Sequence, residues 1–479
     1  MSLKAETFTA IRWTTLAMVG RSALQFAQMA ILARLLAQAD FGLMAMVVSV
    51  TAFMQVFTDL GVSTAIIHYQ EISQSQLSSL YWLNVTVGMA LTAALMASSS
   101  LISGFLFHQP ALQPILMIIS VNFLFLAAGQ QVRVMAEKAL QFSVLAKVEI
   151  SAALGGCATA VVWAWHSPTV YALVAGALVS GFVQTLLLWL LASQGWRPEF
   201  RFRAREIPHF LKFGGYIMAG DFINSLNRQA DILIGGRIFP AATLGSYSLP
   251  RNLSLNLAAV TNPIITRVGL PVMAKTQHDT SFLKSVYLKT MRMTASVNFP
   301  VYMALAVFSR EAVVIVFGKR WINSAHLLVF LAVFGMFRSC GNPVGSLVYA
   351  VGKADLAFRW NLALFFVVFP ILWFASHFGI TGLAAGQAVL MAALVIPMWY
   401  FLIRPNCGAR LGEYLLTLLS PLFAALIAVF TAYLAVSHLT TPLWRLVDAV
   451  LVAAPVYLAV SWVVNRSWLI AMRQLIFRH

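Results

Sequence analysis

The sequence predicts an all-α integral membrane protein of about fourteen transmembrane helices, in two pseudo-symmetric six-helix lobes with two further helices appended at the C-terminus. Three observations carry that prediction. Of the 479 residues, 60% are hydrophobic and only 10% charged, with a mean hydropathy of +0.83, whereas soluble domains carry about a quarter charged residues. Apolar runs long enough to cross ~30 Å of hydrocarbon recur along the whole chain. A displacement of 203 residues then lays Ile31-Leu-Ala-Arg34-Leu-Leu-Ala-Gln-Ala-Asp-Phe-Gly42 over Ile234-Gly-Gly-Arg237-Ile-Phe-Pro-Ala-Ala-Thr-Leu-Gly245.

In order, the apolar runs fall near 11–34, 41–67, 77–105, 112–135, 144–165, 170–192, 211–238, 244–272, 285–309, 323–350, 355–376, 380–402, 415–437 and 443–464. The first is long and lacks a small-residue cleavage site, so it reads as a retained span rather than a signal peptide. Most of the 32 Lys and Arg residues fall on alternate connections, and the positive-inside rule then places both termini in the cytoplasm. An even number of spans separates the two copies of the repeat. They enter the membrane in the same direction and are related by an axis along the membrane normal. The expected layout is a first lobe over 1–195, a basic amphipathic linker over 196–212, a second lobe over 213–403, and the last two spans with a cytoplasmic tail over 404–479.

The linker, Arg197-Pro-Glu-Phe-Arg201-Phe-Arg203-Ala-Arg205-Glu-Ile-Pro-His-Phe-Leu-Lys212, interleaves aromatic and basic residues. Single-stranded nucleic acid grooves share that pattern, but beside a membrane it reads as a segment gripping anionic lipid headgroups. A second amphipathic piece, Lys275–Arg292, is expected along the same surface. The net charge of +17 is thus accounted for by helix anchoring, and no nucleic-acid partner is expected. Cys157, Cys340 and Cys407 are scattered, without metal-ligand spacing, and read as packing residues. No cofactor is expected.

An ionisable group at bilayer depth costs ~2.5–3.5 kcal/mol or more and usually faces a bundle interior or a water-filled cavity. The densest such stretch is Lys212–Arg267. Its first helix carries Asp221, Asn224, Arg228 and Asp231 at spacings of three and four, which puts them on one face; its second carries Arg251, Asn252, Asn256, Asn262 and Arg267. In the first span Thr14, Arg21, Gln25 and Gln28 share a face. Gln55, Thr58 and Asp59 cluster in the second, and Asp59 lies over Asn262 in the repeat. The tenth adds Arg338 and Asn342, with Pro343 freeing a backbone carbonyl to line a cavity. Arginines outnumber carboxylates here, so a net cationic cavity is expected, suited to an anionic phosphate or diphosphate. Arg228 and Asp231 are also spaced to form a structural ion pair, and Arg267 sits low enough to snorkel. Arg21 and Arg251 have no obvious acidic partner in sequence.

The first-hairpin run 31–42, followed by Asp59-Leu-Gly-Val-Ser-Thr-Ala-Ile66, resembles a signature of polysaccharide transporters in the multidrug/oligosaccharidyl-lipid/polysaccharide exporter superfamily. Asp231-Ile-Leu-Ile-Gly235 with Leu244-Gly245-Ser-Tyr247 resembles the matching signature of the second lobe. Ala37-Gln38 and Pro240-Ala241 depart from it, standing where the family often has a Gly-containing turn. The nearest subgroup is the Wzx-type and colanic-acid-type flippases. The resemblance implies transfer of an undecaprenyl-diphosphate-linked oligosaccharide from the cytoplasmic to the periplasmic leaflet of the bacterial inner membrane, with the last two spans helping to form a groove for the lipid tail. On that reading Arg21, Arg228, Arg251, Arg267 and Arg338 meet the diphosphate. Gln25, Gln28, Gln55, Asn224, Asn256 and Asn342 meet the sugars, and Asp59, Asp221 and Asp231 are candidates for coupling to H⁺ or Na⁺. Partnership with a polysaccharide polymerase complex stays open. The rival readings are a membrane-embedded polymerase or glycosyltransferase, against which the short connections argue, and an exporter of other anionic or drug-like cargo.

Overall fold

In the computed structural model the described residues are 3–59, 63, 66, 72–200, 202–203, 208–466 and 468–469; over 3–12, 208–217, 260–261 and 263–268 the description covers the helix but not the side chains. Among them there are helices, turns and bends, and no strand. Two compact units result, Met1–Ser248 and Leu249–His479.

The first unit contains α1 (Leu3–Leu35), α2 (Gln38–Asp59), α3 (Gln74–Leu101, ending in a π turn Ile102–Leu106), α4 (Leu112–Ser120), α5 (Asn122–Lys138), α6 (Phe142–His166), α7 (Tyr171–Leu191), α8 (Pro208–Ile238) and the first turns of α9 (Ala241–Lys275). Ser73 caps α3 with Gln76 in a reciprocal capping box, which satisfies two backbone donors that a helix start leaves open. With little hydrophobic drive between helices in lipid, close backbone approach at small residues does the packing. A methyl at Gly156 of α6 would stand 2.6 Å from the Gly176 carbonyl oxygen of α7. Thr92 Oγ1 of α3 donates to the Ser120 carbonyl at 3.0 Å, across the break between α4 and α5. Phe222 of α8 meets Phe53 of α2 edge-to-face and Phe57 at a tilt, ring centroids 6.2 and 5.4 Å away.

The second unit continues with α10 (Thr280–Val307), α11 (Ser309–Val316), α12 (Ala325–Ser339), α13 (Gly341–Ala350), α14 (Ala354–Ser376), α15 (Gly379–Ala393, extended in short pieces to Cys407), α16 (Leu411–Ala435) and α17 (Pro442–Val464). Tyr302 of α10 is its central tie. Its hydroxyl donates to the Ser254 carbonyl of α9 at 2.6 Å, and Ser254 Oγ in turn donates to the Leu331 carbonyl of α12 at 2.6 Å. The chain turns by 84° between α10 and α11, and Arg445 of α17 holds Glu311 of α11 in an ion pair at 3.0 Å. At the other end of α17, Tyr457 donates to the Ser296 carbonyl of α10 at 2.7 Å.

Among the described residues, eleven helices, counting broken ones as single spans, are long and apolar enough to cross a membrane; the bent pair α10–α11 makes a twelfth if taken as one span. The eleven coincide with predicted spans one to six and ten to fourteen. α8 and α9, of 31 and 35 residues, are also long enough to cross ~30 Å of hydrocarbon. Lys275–Arg292 differs from expectation. It is the turn after α9 and the first part of α10, because nothing between the Asp279 cap and Pro300 interrupts that helix. The hairpin register of the repeat is present in the helix boundaries: α1 and α8 end at 35 and 238, α2 and α9 begin at 38 and 241, each displaced by 203.

Candidate functional site

In the first unit, Arg21 and Gln25 of α1 are exposed and Gln28 half-buried. An exposed guanidinium two turns inside an apolar span is costly in lipid, so this face is built for water or a polar partner. Gln55 of α2 is also exposed, its carbonyl taking the Thr58 hydroxyl at 2.7 Å. Half-buried Asp59 closes α2. It accepts the Ser63 amide at 3.2 Å, the Ser63 hydroxyl, and Gln130 Nε2 of α5 at 3.4 Å, while Gln130 also donates to Ser63 Oγ at 2.9 Å.

The predicted polar face of α8 divides. Asp221 and Arg228 are exposed and Asn224 is half-buried, whereas Asp231 is fully buried and accepts the Tyr247 hydroxyl of α9 at 2.7 Å. At about 100° per residue, 221 and 228 lie roughly 20° apart while 231 sits some 80° from 221, at the edge that turns into the core. Arg237 acts at the helix end, where Nη1 donates to the Phe105 carbonyl and, at 3.1 Å, to the Leu106 carbonyl, its Cζ 5.6 Å from the Phe105 ring.

In the second unit Arg251 is buried at 5% exposure and Asn256 is half-buried; Asn252 and Asn342 are exposed. Arg338 is half-buried with its guanidinium 5.7 Å from the Phe334 ring. Arg267 belongs to α9, but its side chain lies outside the described residues. One expectation is corrected. Proline removes the donor to the carbonyl four residues back, so Pro343 frees the Ser339 carbonyl, but that carbonyl lines no cavity. Asn262 Nδ2 takes it up at 3.0 Å, and Asn262 Oδ1 accepts Asn298 Nδ2 at 2.9 Å, all three residues being buried.

Sequence reasoning missed a charged knot on α5 and α6. Arg133 pairs with Glu137 at 3.0 Å and with Glu149 at 2.8 Å, one turn along α5 from Gln130. The spacing of Gln130, Arg133 and Glu137 was the available signal. Of the predicted linker, 196–200 and 202–203 are described and run along the start of α3. Ser78 Oγ and Ser79 Oγ accept the amides of Glu199 and Arg203 at 3.0 and 3.1 Å, and Trp82 Nε1 donates to the Glu199 carbonyl at 2.8 Å. Residues 201 and 204–207 lie outside the described residues, and α8 begins at Pro208.

This arrangement offers fixed cations and amides on long helices. Comparison with known proteins agrees with a role in handling polysaccharide. The family model described as "Polysaccharide biosynthesis protein" matches residues 31–326. The chain is 32% identical to the lipopolysaccharide biosynthesis protein WzxC of Escherichia coli over 434 residues, covering 90% of this chain and 88% of that one. It is 28% identical to the teichuronic acid biosynthesis protein TuaB of Bacillus subtilis, covering 87% and 83%. Its fold is similar to that of the lipid II flippase MurJ in an inward closed conformation, with a TM-score of 0.77 at 13% identity over 96% of this chain and all of that one. A family match across more than half of the sequence and a relative of this identity over nine-tenths of it agree: the chain belongs to the polysaccharide biosynthesis protein family, among the Wzx-type transporters.

Proposed function

We propose that the protein is a flippase of the bacterial inner membrane that moves an undecaprenyl-diphosphate-linked oligosaccharide repeat unit from the cytoplasmic to the periplasmic leaflet, for assembly of a surface polysaccharide, and that it is not an enzyme. The observation that carries this reading is Arg21, exposed within the apolar span Trp13–Leu35. A permanently charged planar fork at that depth is retained where it meets a matching anion, and a diphosphate matches it bidentately. Gln25 and Gln28 on the same helical face supply amides for sugars. Arg228 and, in the second unit, Arg251 and Arg338 extend the cationic character.

α8 and α9 support a fourteen-helix, two-lobed layout with both termini cytoplasmic. At 1.5 Å per residue they extend about 46 and 52 Å, more than the ~30 Å of hydrocarbon. Alternating access would expose the same cations to each leaflet in turn. Asp59, Asp221 and the buried Asp231 are the groups through which H⁺ or Na⁺ could drive the cycle, and the exposed Arg197, Phe200, Phe202 and Arg203 suit anionic headgroups.

The test is flipping of a lipid-diphosphate oligosaccharide in proteoliposomes. Arg21→Ala and Arg251→Ala should each slow it at least tenfold, the loss of ~1.4 kcal/mol of interaction with the anion; full activity in both variants removes the cationic path from the mechanism.

A further inference from the structure

We infer that the end of the first unit where α2, α5 and α7 finish and α3 and α6 begin carries a binding site, separate from the residues assigned to cargo, for a phosphate ester with free hydroxyls and an apolar part. A cavity of about 270 Å³ lies there, close to the lower end of the ~300–1,000 Å³ range of small-molecule sites. Its floor is apolar: Ile66 beyond the end of α2, Leu77 of α3, Met135 and Ala136 of α5, and Ala192 at the end of α7. Ile66, Ala136 and Ala192 are buried, so the floor belongs to the packed interior.

The polar groups come from the turns that close α5 and α7. Leu140 takes a left-handed φ of 56°, and the Gln141 amide then returns to the Ala136 carbonyl at 2.9 Å, which folds the chain back over the floor. Gln141 stands at the start of α6, but its side chain makes no capping bond there. It lines the cavity instead, and its Oε1 is buried without a hydrogen-bond partner. After α7, Gln194 repeats the left-handed turn at a φ of 51°, and Ser193 beside it lines the same cavity. Non-glycine residues adopt this conformation at a cost, and here both turns bring polar side chains to one place. Lys138, the last residue of α5, adds a positive charge.

These groups define the ligand. A lysine ammonium is a point-charge partner for phosphate. A buried acceptor without a partner is costly, and a ligand hydroxyl supplies the donor that Gln141 Oε1 lacks. Ser193 offers a partner to a second hydroxyl, and the floor receives hydrocarbon. A glycerol phosphate ester has this chemistry, either as the head of phosphatidylglycerol or as a free small molecule. Among the described residues lining the cavity, none is assigned to cargo, so the inference stands apart from the flippase reading.

The test reads protection of a thiol at the rim. Ala139, exposed and lining the cavity, is changed as Ala139→Cys in a full chain whose own three cysteines are replaced by alanine. The protein is held in phosphatidylcholine nanodiscs and treated with an uncharged maleimide. Phosphatidylglycerol in the nanodisc should slow labelling several-fold; Lys138→Gln should abolish that protection and Lys138→Arg should keep it. Gln141→Leu should reduce the protection to that given by phosphatidic acid, which lacks the glycerol hydroxyls. Glycerol phosphate in solution separates the sources: protection by it in place of the lipid supports the site with a soluble ester as its ligand. An unchanged labelling rate with both overturns the inference. So does protection that survives Lys138→Gln undiminished, because a general effect of membrane charge would survive it too.

Discussion

Asn262→Ala, made alone and together with Pro343→Ala, probes the polar knot inside the second unit. The Ser339 carbonyl has lost its helical donor to Pro343 and is served by Asn262 Nδ2 at 3.0 Å. Removing the amide leaves a buried acceptor without that donor, which costs about 1–3 kcal/mol. Asn298 Nδ2 loses one acceptor but keeps the Thr294 carbonyl at 2.9 Å, so its share is at the lower end. Pro343→Ala returns a backbone N–H to the same Ser339 oxygen. The cost of Asn262→Ala should then fall by about 1 kcal/mol, a coupling expected only of residues that share a partner. Thermal unfolding of the purified protein, followed by a thiol-reactive dye at the buried Cys340 and Cys407, measures it. One kcal/mol is worth roughly 2–4 °C in a unit of this size. A loss in Tm from Asn262→Ala that is the same with and without Pro343→Ala would refute the reasoning.

Two further outcomes follow from single contacts. Tyr247→Phe should destabilise the first unit by about 1–3 kcal/mol, the cost of taking a donor from a buried acceptor, because it removes the 2.7 Å hydrogen bond to the buried Asp231; the added loss from Tyr247→Phe should largely vanish in an Asp231→Ala background, read by the same dye at Cys157 of the first unit. At the start of α10, Asp279 accepts the amides of Phe282 and Ser281, both at 3.0 Å, and the Ser281 hydroxyl at 2.7 Å. These bonds, the Phe282 amide foremost, hold its carboxyl below the usual carboxylate range. With the folded value lower than the unfolded one, the cap is fully effective above the unfolded pKa and is lost as pH falls through the folded one. Hydrogen exchange at Phe282, corrected for its intrinsic pH dependence, should lose protection over that acidic window, and Asp279→Ala should remove the pH dependence.

What the sequence disclosed and what it hid divide along a physical line. Signals that lie within one helix or between helix ends were readable: the apolar runs, the 203-residue displacement that returns in the boundaries of α1, α2, α8 and α9, and the polar stripe of α8. Partners contributed by a different helix were not. Glu149 stands sixteen residues from Arg133 and on another element, so no spacing rule joins them. The carbonyl freed by Pro343 could be inferred from covalent structure alone, but its donor, Asn262, is 77 residues away.

Burial then separates residues that look alike in sequence. Asn256 and Asn262 are both amides on α9, and either could have been assigned to sugar. Asn262 is 1% exposed, and its nitrogen and oxygen each hold a neighbouring element of the protein, so a sugar could reach it only by undoing the contact between α9, α10 and the break after α12. Asn256 is half-buried and can take a ligand without that cost. The same argument splits α8: Asp231 spends its carboxylate on Tyr247, whereas Asp221 and Arg228 are exposed. A coupling ion at Asp231 would have to displace the tyrosine hydroxyl or share the carboxylate with it, so changing Tyr247 should alter ion dependence if Asp231 is the coupling group and leave it untouched if Asp221 or Asp59 is.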